Sequence, residues 1–274
     1  MRAIPVWKGV AGAMTLMNDR AQAILRLLEE RSSVSVSEIS KLLDLSEVTV
    51  RKILDNMQSE GWLKRTWGGA VSVSSTSSEL RYSDKFTKQV QEKQAMARIA
   101  YDMIDEGDAV LLDGGTTNLE LARLLSAGSK KQITVATTAV HIALELAKSP
   151  NIRVIITGGE VRTDVFSCIG PIAENMLRST LFDKGFIIPY HCTVQRGLTH
   201  PDMEEAFLKQ SMINACKETF SLIDHTKFGQ DSMNRICDIS DLDYVITDWL
   251  TEPSVLERIR EKNVRLIVAP APQA

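Results

Sequence analysis

Short apolar runs at residues 109–112, 133–136, 154–156, 185–188, 219–223, 244–246 and 266–268 alternate with longer segments of helical character. The helical segments fall near residues 89–105, 117–126, 139–148, 170–179, 203–216 and 253–262. Apolar runs too short for helices, interleaved with helices, predict parallel strands joined by helical crossovers. Such a sheet has helices on both faces, so its strands read as continuous apolar runs rather than alternating ones. The expected fold class of residues 87–270 is α/β with a parallel sheet.

Ligands of such sheets bind just beyond the carboxyl ends of the strands. Three consecutive strands end there in polar loops: Asp113-Gly114-Gly115-Thr116-Thr117, then Thr137-Thr138, then Thr157-Gly158-Gly159-Glu160. Glycines let a backbone approach an anion closely, and threonines add hydroxyl donors. The helix expected after Thr117 adds free amide groups and a favourable dipole. Together these suit a phosphate, although glycine-rich strand-to-helix turns also serve structure alone. Glu205 and Lys209 stand one helical turn apart, as a surface ion pair or as pocket residues. Lys227, in Asp224-His225-Thr226-Lys227-Phe228-Gly229, either holds an anion or sugar hydroxyl or belongs to a charged loop.

The first part of the chain obeys a different period. Asn18 can cap a helix whose Ala21, Ile24, Leu25 and Leu28 share one face. Ser35-Val36-Ser37-Glu38 is a capping box, and its helix should bury Val36, Ile39, Leu42 and Leu43. Asp44 and Leu45 connect it to Ser46, a second cap. The next helix turns Val50, Ile53, Leu54 and Met57 inward, and Gly61 stops it. Two short helices around a tight turn form a helix-turn-helix, whose second member enters the major groove. Glu47, Thr49, Arg51, Lys52 and Asn56 are left on its outer side. Thr49, Arg51 and Lys52 can reach bases or phosphates, and Ser46 with the helix start suits a phosphate. After Gly61, residues 62–71 alternate around Gly68-Gly69 as a two-stranded hairpin, a wing on which Lys64 and Arg65 can grip the backbone. The same pattern also fits a three-helix element that binds a protein.

Residues 72–79 are serine-rich and predict a hinge; the expected boundaries are a loose tail at 1–18, a winged helix-turn-helix at 19–72, a linker at 73–86 and the α/β domain at 87–270. Ala11-Gly12-Ala13 mimics a signal-peptidase site, but a helix-turn-helix follows directly, so secretion is not expected; Met14 and Met17 offer later start sites. The net charge of -3 excludes a polybasic coat, so any DNA contact comes from a local patch. The cysteines, Cys168, Cys192, Cys216 and Cys237, form no C-x-x-C pair. They fit small buried hydrophobes in a reducing compartment, so a cytoplasmic protein without metal or cofactor is expected. No apolar run reaches the roughly 18–20 residues of a membrane span, so no membrane partner is expected.

Residues 34–71 resemble the DNA-binding domain of DeoR-family regulators, through Ser35-Val36-Ser37-Glu38, Leu45-Ser46-Glu47-Val48-Thr49-Val50-Arg51, Gly61 and Gly68-Gly69-Ala70. Asp113-Gly114-Gly115-Thr116-Thr117, Thr157-Gly158-Gly159-Glu160, Gly170-Pro171, Gly197-Leu198-Thr199, Glu205-Ala206 with Lys209, and residues 224–229 resemble the effector domain of the same family. The resemblance runs from residue 19 onward. It implies a fold similar to ribose-5-phosphate isomerase, operator DNA and a phosphorylated sugar as partners, and repression relieved by that sugar. The implied pocket is Asp113, Gly115, Thr116, Thr117, Thr137, Gly158, Gly159, Glu205, Lys209 and Lys227. The implied DNA contacts are Ser46, Thr49, Arg51, Lys52, Lys64 and Arg65. Two departures stand out. Where the family has two arginines and an aspartate in the recognition helix, this chain has Arg51-Lys52-Ile53. Where it has Gly-Ala-Asp-Gly after the strand at Phe186, this chain has Pro189-Tyr190-His191-Cys192. Related isomerases do acid–base work with that aspartate, so its loss weighs against an enzyme and alters the pocket. His191 and Cys192 alone are a poor start for a metal site. The expectation is a non-enzymatic, homo-oligomeric repressor of carbohydrate-metabolism genes. The rivals are an isomerase-like or deaminase-like enzyme with an accessory DNA-binding domain, and a DNA-binding protein whose second domain only oligomerises.

Overall fold

The computed structural model describes residues 19–31, 33–59, 62–66, 68–72 and 85–272. The tail at 1–18, the cap at Asn18, the stop at Gly61 and nearly all of the linker at 73–86 lie outside these residues. The chain divides into two compact units, Met1–Ser78 and Glu79–Ala274.

The first unit contains helix α1 (Asp19–Arg31), strand β1 (Ser33–Ser35), helices α2 (Val36–Leu43) and α3 (Glu47–Ser59), and strands β2 (Leu63–Thr66) and β3 (Gly69–Ser72). The capping box forms in full at the start of α2: the Glu38 amide donates to Ser35 Oγ at 3.2 Å, and the Ser35 amide donates to Glu38 Oε2 at 2.8 Å. Asp44 ends α2 in the left-handed conformation, which an aspartate tolerates. Ile24, Leu28, Val36, Ile39, Val50, Leu54 and Met57 bury their side chains in one core with Leu63 and Ala70. Leu42, expected in that core, is 61% exposed. Val36, Ile39 and Leu43 already complete one face of α2, and 100° per residue carries Leu42 off it.

The wing has three strands, not two, in the antiparallel order β1-β3-β2. Its third strand is the run that ends in the capping serine. Gly69 pairs with Ser35 there, and any Cβ at Gly69 would collide with the Val34 carbonyl oxygen.

The second unit is built on strands β4 (Ala109–Leu112), β5 (Ile133–Thr137), β6 (Ile152–Ile156), β9 (Phe182–Ile187), β12 (Cys216–Ile223), β14 (Tyr244–Asp248) and β15 (Arg265–Ala269). They form one sheet in the order β15-β14-β12-β9-β4-β5-β6, and every pairing in it is parallel. Helices α4 (Val90–Asp102), α5 (Thr116–Ala127) and α6 (Val140–Leu146) pack on one face over Val110, Leu112, Val135, Phe186 and Phe220. Helices α7 (Pro171–Arg178) and α8 (Met203–Asn214) pack on the other face over Leu111, Ala136 and Ile187. Neighbours along β4 therefore enter opposite cores, and each full burial contributes roughly 1.5–3 kcal/mol. Helix α9 (Pro253–Arg260) joins a further cluster with Ile223, Val245 and Ile259.

Two small sheets escaped the sequence reading: a hairpin of β7 (Glu160–Arg162) with β8 (Ser167–Ile169), and β10 (His191–Thr193), β11 (Gly197–His200) and β13 (Asn234–Cys237) in antiparallel order. Their strands are too short to show a period. Cys168 and Cys192 are buried, and burial pushes the half-buried thiols of Cys216 and Cys237 up to about 12. Among the described residues no helix is long and apolar enough to cross a membrane, and no group of three metal-ligating side chains occurs.

Candidate functional site

On α3 the outer side is polar. Ser46 Oγ accepts the Thr49 amide proton at 3.2 Å and lies 2.9 Å from Thr49 Oγ1, so both hydroxyls sit at the helix start. Ser46, Arg51 and Lys52 are exposed, and Thr49 is half-buried. Arg51 Nη2 pairs with Glu47 Oε2 at 2.9 Å. The carboxylate that the run Arg51-Lys52-Ile53 lacks downstream thus stands one turn upstream. Arg65 behaves differently from the expected free grip: its Nε pairs with Asp55 Oδ1 at 3.2 Å, and its amide donates to Gln58 Oε1 at 2.7 Å. These contacts lay Arg65 against α3. The side chain of Lys64 lies outside the described residues.

In the second unit the carboxyl ends of β4, β5 and β6 bring their loops together. Asp113 is fully buried, and its amide donates to Phe186 O at 3.1 Å. The Ile188 amide donates to Asp113 Oδ2 at 2.8 Å, and Lys209 Nζ lies 2.7 and 2.6 Å from the two carboxylate oxygens. The Asn118 side-chain amide donates to Asp113 O and to Phe186 O, both at 2.9 Å. These bonds lock the loop after β4 to the end of β9. Gly115 takes φ 148 beside Ile188, where an added Cβ would lie 3.2 Å from Ile188 Cγ2. Thr116 and Thr117 follow in the buried first turn of α5.

Thr137 Oγ1 accepts the Ala139 amide proton at 3.1 Å, and the Cys168 amide donates to Thr138 O at 2.7 Å. This second bond carries the β7–β8 hairpin onto the loop after β5. A Cβ at Gly114 would lie 3.9 Å from Ser167 Oγ. The hydroxyls of Thr138 and Ser167 are both buried and have no hydrogen-bond partner among the described residues. An unpaired buried hydroxyl costs roughly 1–3 kcal/mol, which a ligand oxygen can recover. Gly158 and Gly159, with positive φ, follow β6 on the same edge. Sequence reasoning missed Ser167, because it sits on a three-residue strand far along the chain.

Glu205 and Lys209 form no surface ion pair: both are buried on α8, with Lys209 Nζ 3.6 Å from Glu205 Oε2. Arg162 of β7 reaches this pair, its Nη1 lying 3.7 Å from Glu205 Oε1 and 3.6 Å from Asp202 Oδ1. Arg162 was also illegible in the sequence, since only the hairpin's packing brings it there.

Beyond β9 and β12, Lys227 lies in the field of Asp224, Lys85, Lys93 and Lys209. Lys227 Nζ donates to Pro189 O at 2.8 Å. Burial, resisted by Asp224 and reinforced by Lys85, Lys93 and Lys209, pushes the Lys227 ammonium down to about 8. His191 Nδ1 lies 3.0 Å from Ser232 Oγ, and burial with Lys227 and Lys85 pushes the imidazole down to about 4. Burial holds His200 well below its ordinary range, so both rings are neutral at pH 7. Cys192 is fully buried. His225 Nδ1 lies 3.0 Å from Asp248 Oδ1, a contact that sequence spacing did not suggest.

Residues 20–76 match the family model of the DeoR-like helix-turn-helix domain, and residues 88–249 match that of the DeoR C-terminal sensor domain. The "Uncharacterized HTH-type transcriptional regulator YulB" of Bacillus subtilis is 32% identical over 255 residues, covering 93% of this chain and 98% of that protein. The "Lactose phosphotransferase system repressor" of Staphylococcus epidermidis is 32% identical over 232 residues, covering 84% and 91%. Among solved structures, a D-ribose-5-phosphate isomerase in complex with phospho-erythronic acid aligns at TM-score 0.37 and 14% identity, covering 50% of this chain and 52% of that one.

Proposed function

The chain belongs to the DeoR family of helix-turn-helix transcriptional regulators, and from that premise we propose that it represses carbohydrate-metabolism genes and releases its operator when a phosphorylated sugar binds the second unit. The observation that carries the sensor half is the cradle after β4 and β5. It combines a glycine loop, the start of α5, and two buried hydroxyls, Thr138 and Ser167, that have no partner among the described residues. A phosphate supplies the acceptor oxygens that such donors require.

In this reading the effector contacts are Asp113, Gly115, Thr116, Thr117, Thr137, Gly158, Gly159, Glu205, Lys209 and Lys227. Asp113 and Lys209 act by fixing the loop. The DNA contacts are Ser46, Thr49, Arg51, Lys52, Lys64 and Arg65, with Glu47 orienting Arg51. The protein works in the cytoplasm as a homo-oligomer, because paired half-sites need paired recognition helices. The non-enzymatic reading is supported by Pro189-Tyr190-His191-Cys192, which stands where related isomerases carry an acid–base aspartate. The linker at 73–86 joins the domains at 19–72 and 87–270. The effector acts by preferring one of two arrangements of the protein, the other being the one that binds DNA.

A fluorescence-anisotropy titration onto the DNA upstream of its own gene, at fixed salt, tests the reading. Binding weakens in the presence of a pool of sugar phosphates. Binding that ignores the pool removes the sensor half, and absence of sequence-preferring binding removes the regulator itself.

A further inference from the structure

Leu42 and Val48 are the large apolar side chains that the first unit exposes among its described residues, at 61% and 63%. Leu42 lies in the last turn of α2, the member of a helix-turn-helix that crosses the DNA backbone. Val48 stands in the first turn of α3, the member that enters the major groove.

The periodicity of α3 fixes where Val48 points. The buried residues of this helix are Val50, Leu54 and Met57. At about 3.6 residues per turn, Val48 lies about 120–180° round the helix from each of them. It belongs neither to the core cluster of this unit nor to the half-buried apolar residues packed on that cluster. A β-branched residue is also a poor choice for an exposed helix position, because it loses rotamer freedom against the preceding turn. Neither packing nor helix propensity accounts for a valine there.

Its polar neighbours have local partners. Ser46 Oγ lies 2.9 Å from Thr49 Oγ1, and Arg51 Nη2 lies 2.9 Å from Glu47 Oε2. The N-terminal residues of a recognition helix are the ones that meet base edges. In the major groove adenine, guanine and cytosine present hydrogen-bonding groups, whereas thymine adds an apolar one, its C5-methyl. A hydrocarbon side chain pressed on a polar edge strips it of water without replacing the hydrogen bonds, and gains only against that methyl.

We propose that Val48 is a specificity-determining residue of the DNA interface, its methyl groups packing on the C5-methyl of one thymine in each half-site. This rests on the reading of α3 as the DNA-contacting helix and names a base that it selects.

The test uses the full-length protein and duplexes of the DNA upstream of its own gene, in anisotropy titrations at fixed salt. Thymines are replaced one at a time by deoxyuridine, which removes the methyl and keeps every hydrogen-bonding group. At one thymine in each half-site the change should weaken wild-type binding about fourfold, the worth of one methyl taken out of water. Val48→Ser should bind the unmodified duplex more weakly, melt at the wild-type temperature, and ignore uracil at that position. A wild-type protein insensitive to every uracil overturns the proposal and leaves the regulator reading intact. So does a uracil effect that persists undiminished in Val48→Ser. If Val48→Ser changes only the oligomeric state in sedimentation, the valine serves a protein contact and the proposal fails. Absence of sequence-preferring binding to any duplex removes the regulator reading and the proposal together.

Discussion

Lys209 and Asp113 hold each other where water cannot replace either one. Asp113 is fully buried and Lys209 is 3% exposed, so removing one partner strands a charge in the interior. Lys209→Met should cost about 3–5 kcal/mol in urea denaturation, and Asp113→Asn combined with Lys209→Met should cost less than the sum of the two single changes. Strict additivity would mean that the two act independently. Lys227 carries a different signature. Its folded-state value near 8 lies below the 10.5 of an unperturbed lysine. Below pH 8 both folded and unfolded chains hold the proton, and the full cost of burying it is present. Between pH 8 and 10.5 the folded chain has released the proton and the unfolded chain has not, so this cost is relieved as pH rises. Lys227→Met, without ligand, should raise the melting temperature at pH 7, and its advantage should shrink as pH climbs from 8 to 10.5. A constant advantage across that range would show that the ammonium is not the source.

At the scale of elements, the ends of the strands matter more than their middles. The β7–β8 hairpin has almost no length, yet it carries Ser167 to the cradle and Arg162 to Glu205. Thr138→Val with Ser167→Ala removes two hydroxyls that pair with nothing among the described residues. Melting without ligand should therefore be unchanged or up by about 1 kcal/mol, while the stabilisation given by sugar phosphate is lost. Destabilisation of the ligand-free protein by a full hydrogen bond each would mean that the hydroxyls serve the fold. The seven parallel strands were legible in advance as continuous apolar runs interleaved with helical segments, and the helix-turn-helix through its caps and apolar helix faces. The small sheets were not, and Leu42 was placed inward because a list of apolar residues does not say which face is already full.

For the whole molecule, sensing requires that effector and operator be coupled, and coupling is reciprocal. Whatever factor the effector adds to the dissociation constant of the DNA, saturating operator DNA should add to that of the effector. Calorimetry on the protein–DNA complex checks this. An effector affinity unchanged by DNA, beside a DNA affinity changed by effector, would point to competition from contaminants in the ligand pool. The amino-acid sequence by itself determined the parallel α/β class, the capped helix pair and the loops at the strand ends. Those features rest on local periodicity, capping and turn chemistry, which act over a few residues. Only the tertiary structure decided that Glu205 and Lys209 are buried, that Arg65 lies on α3, that Ser167 lies beside Gly114 and that Arg162 reaches Glu205. Each of these depends on which strand lies beside which in the sheet and on the close packing of side chains against it, and residues far apart in the chain carry no local mark of that neighbourhood.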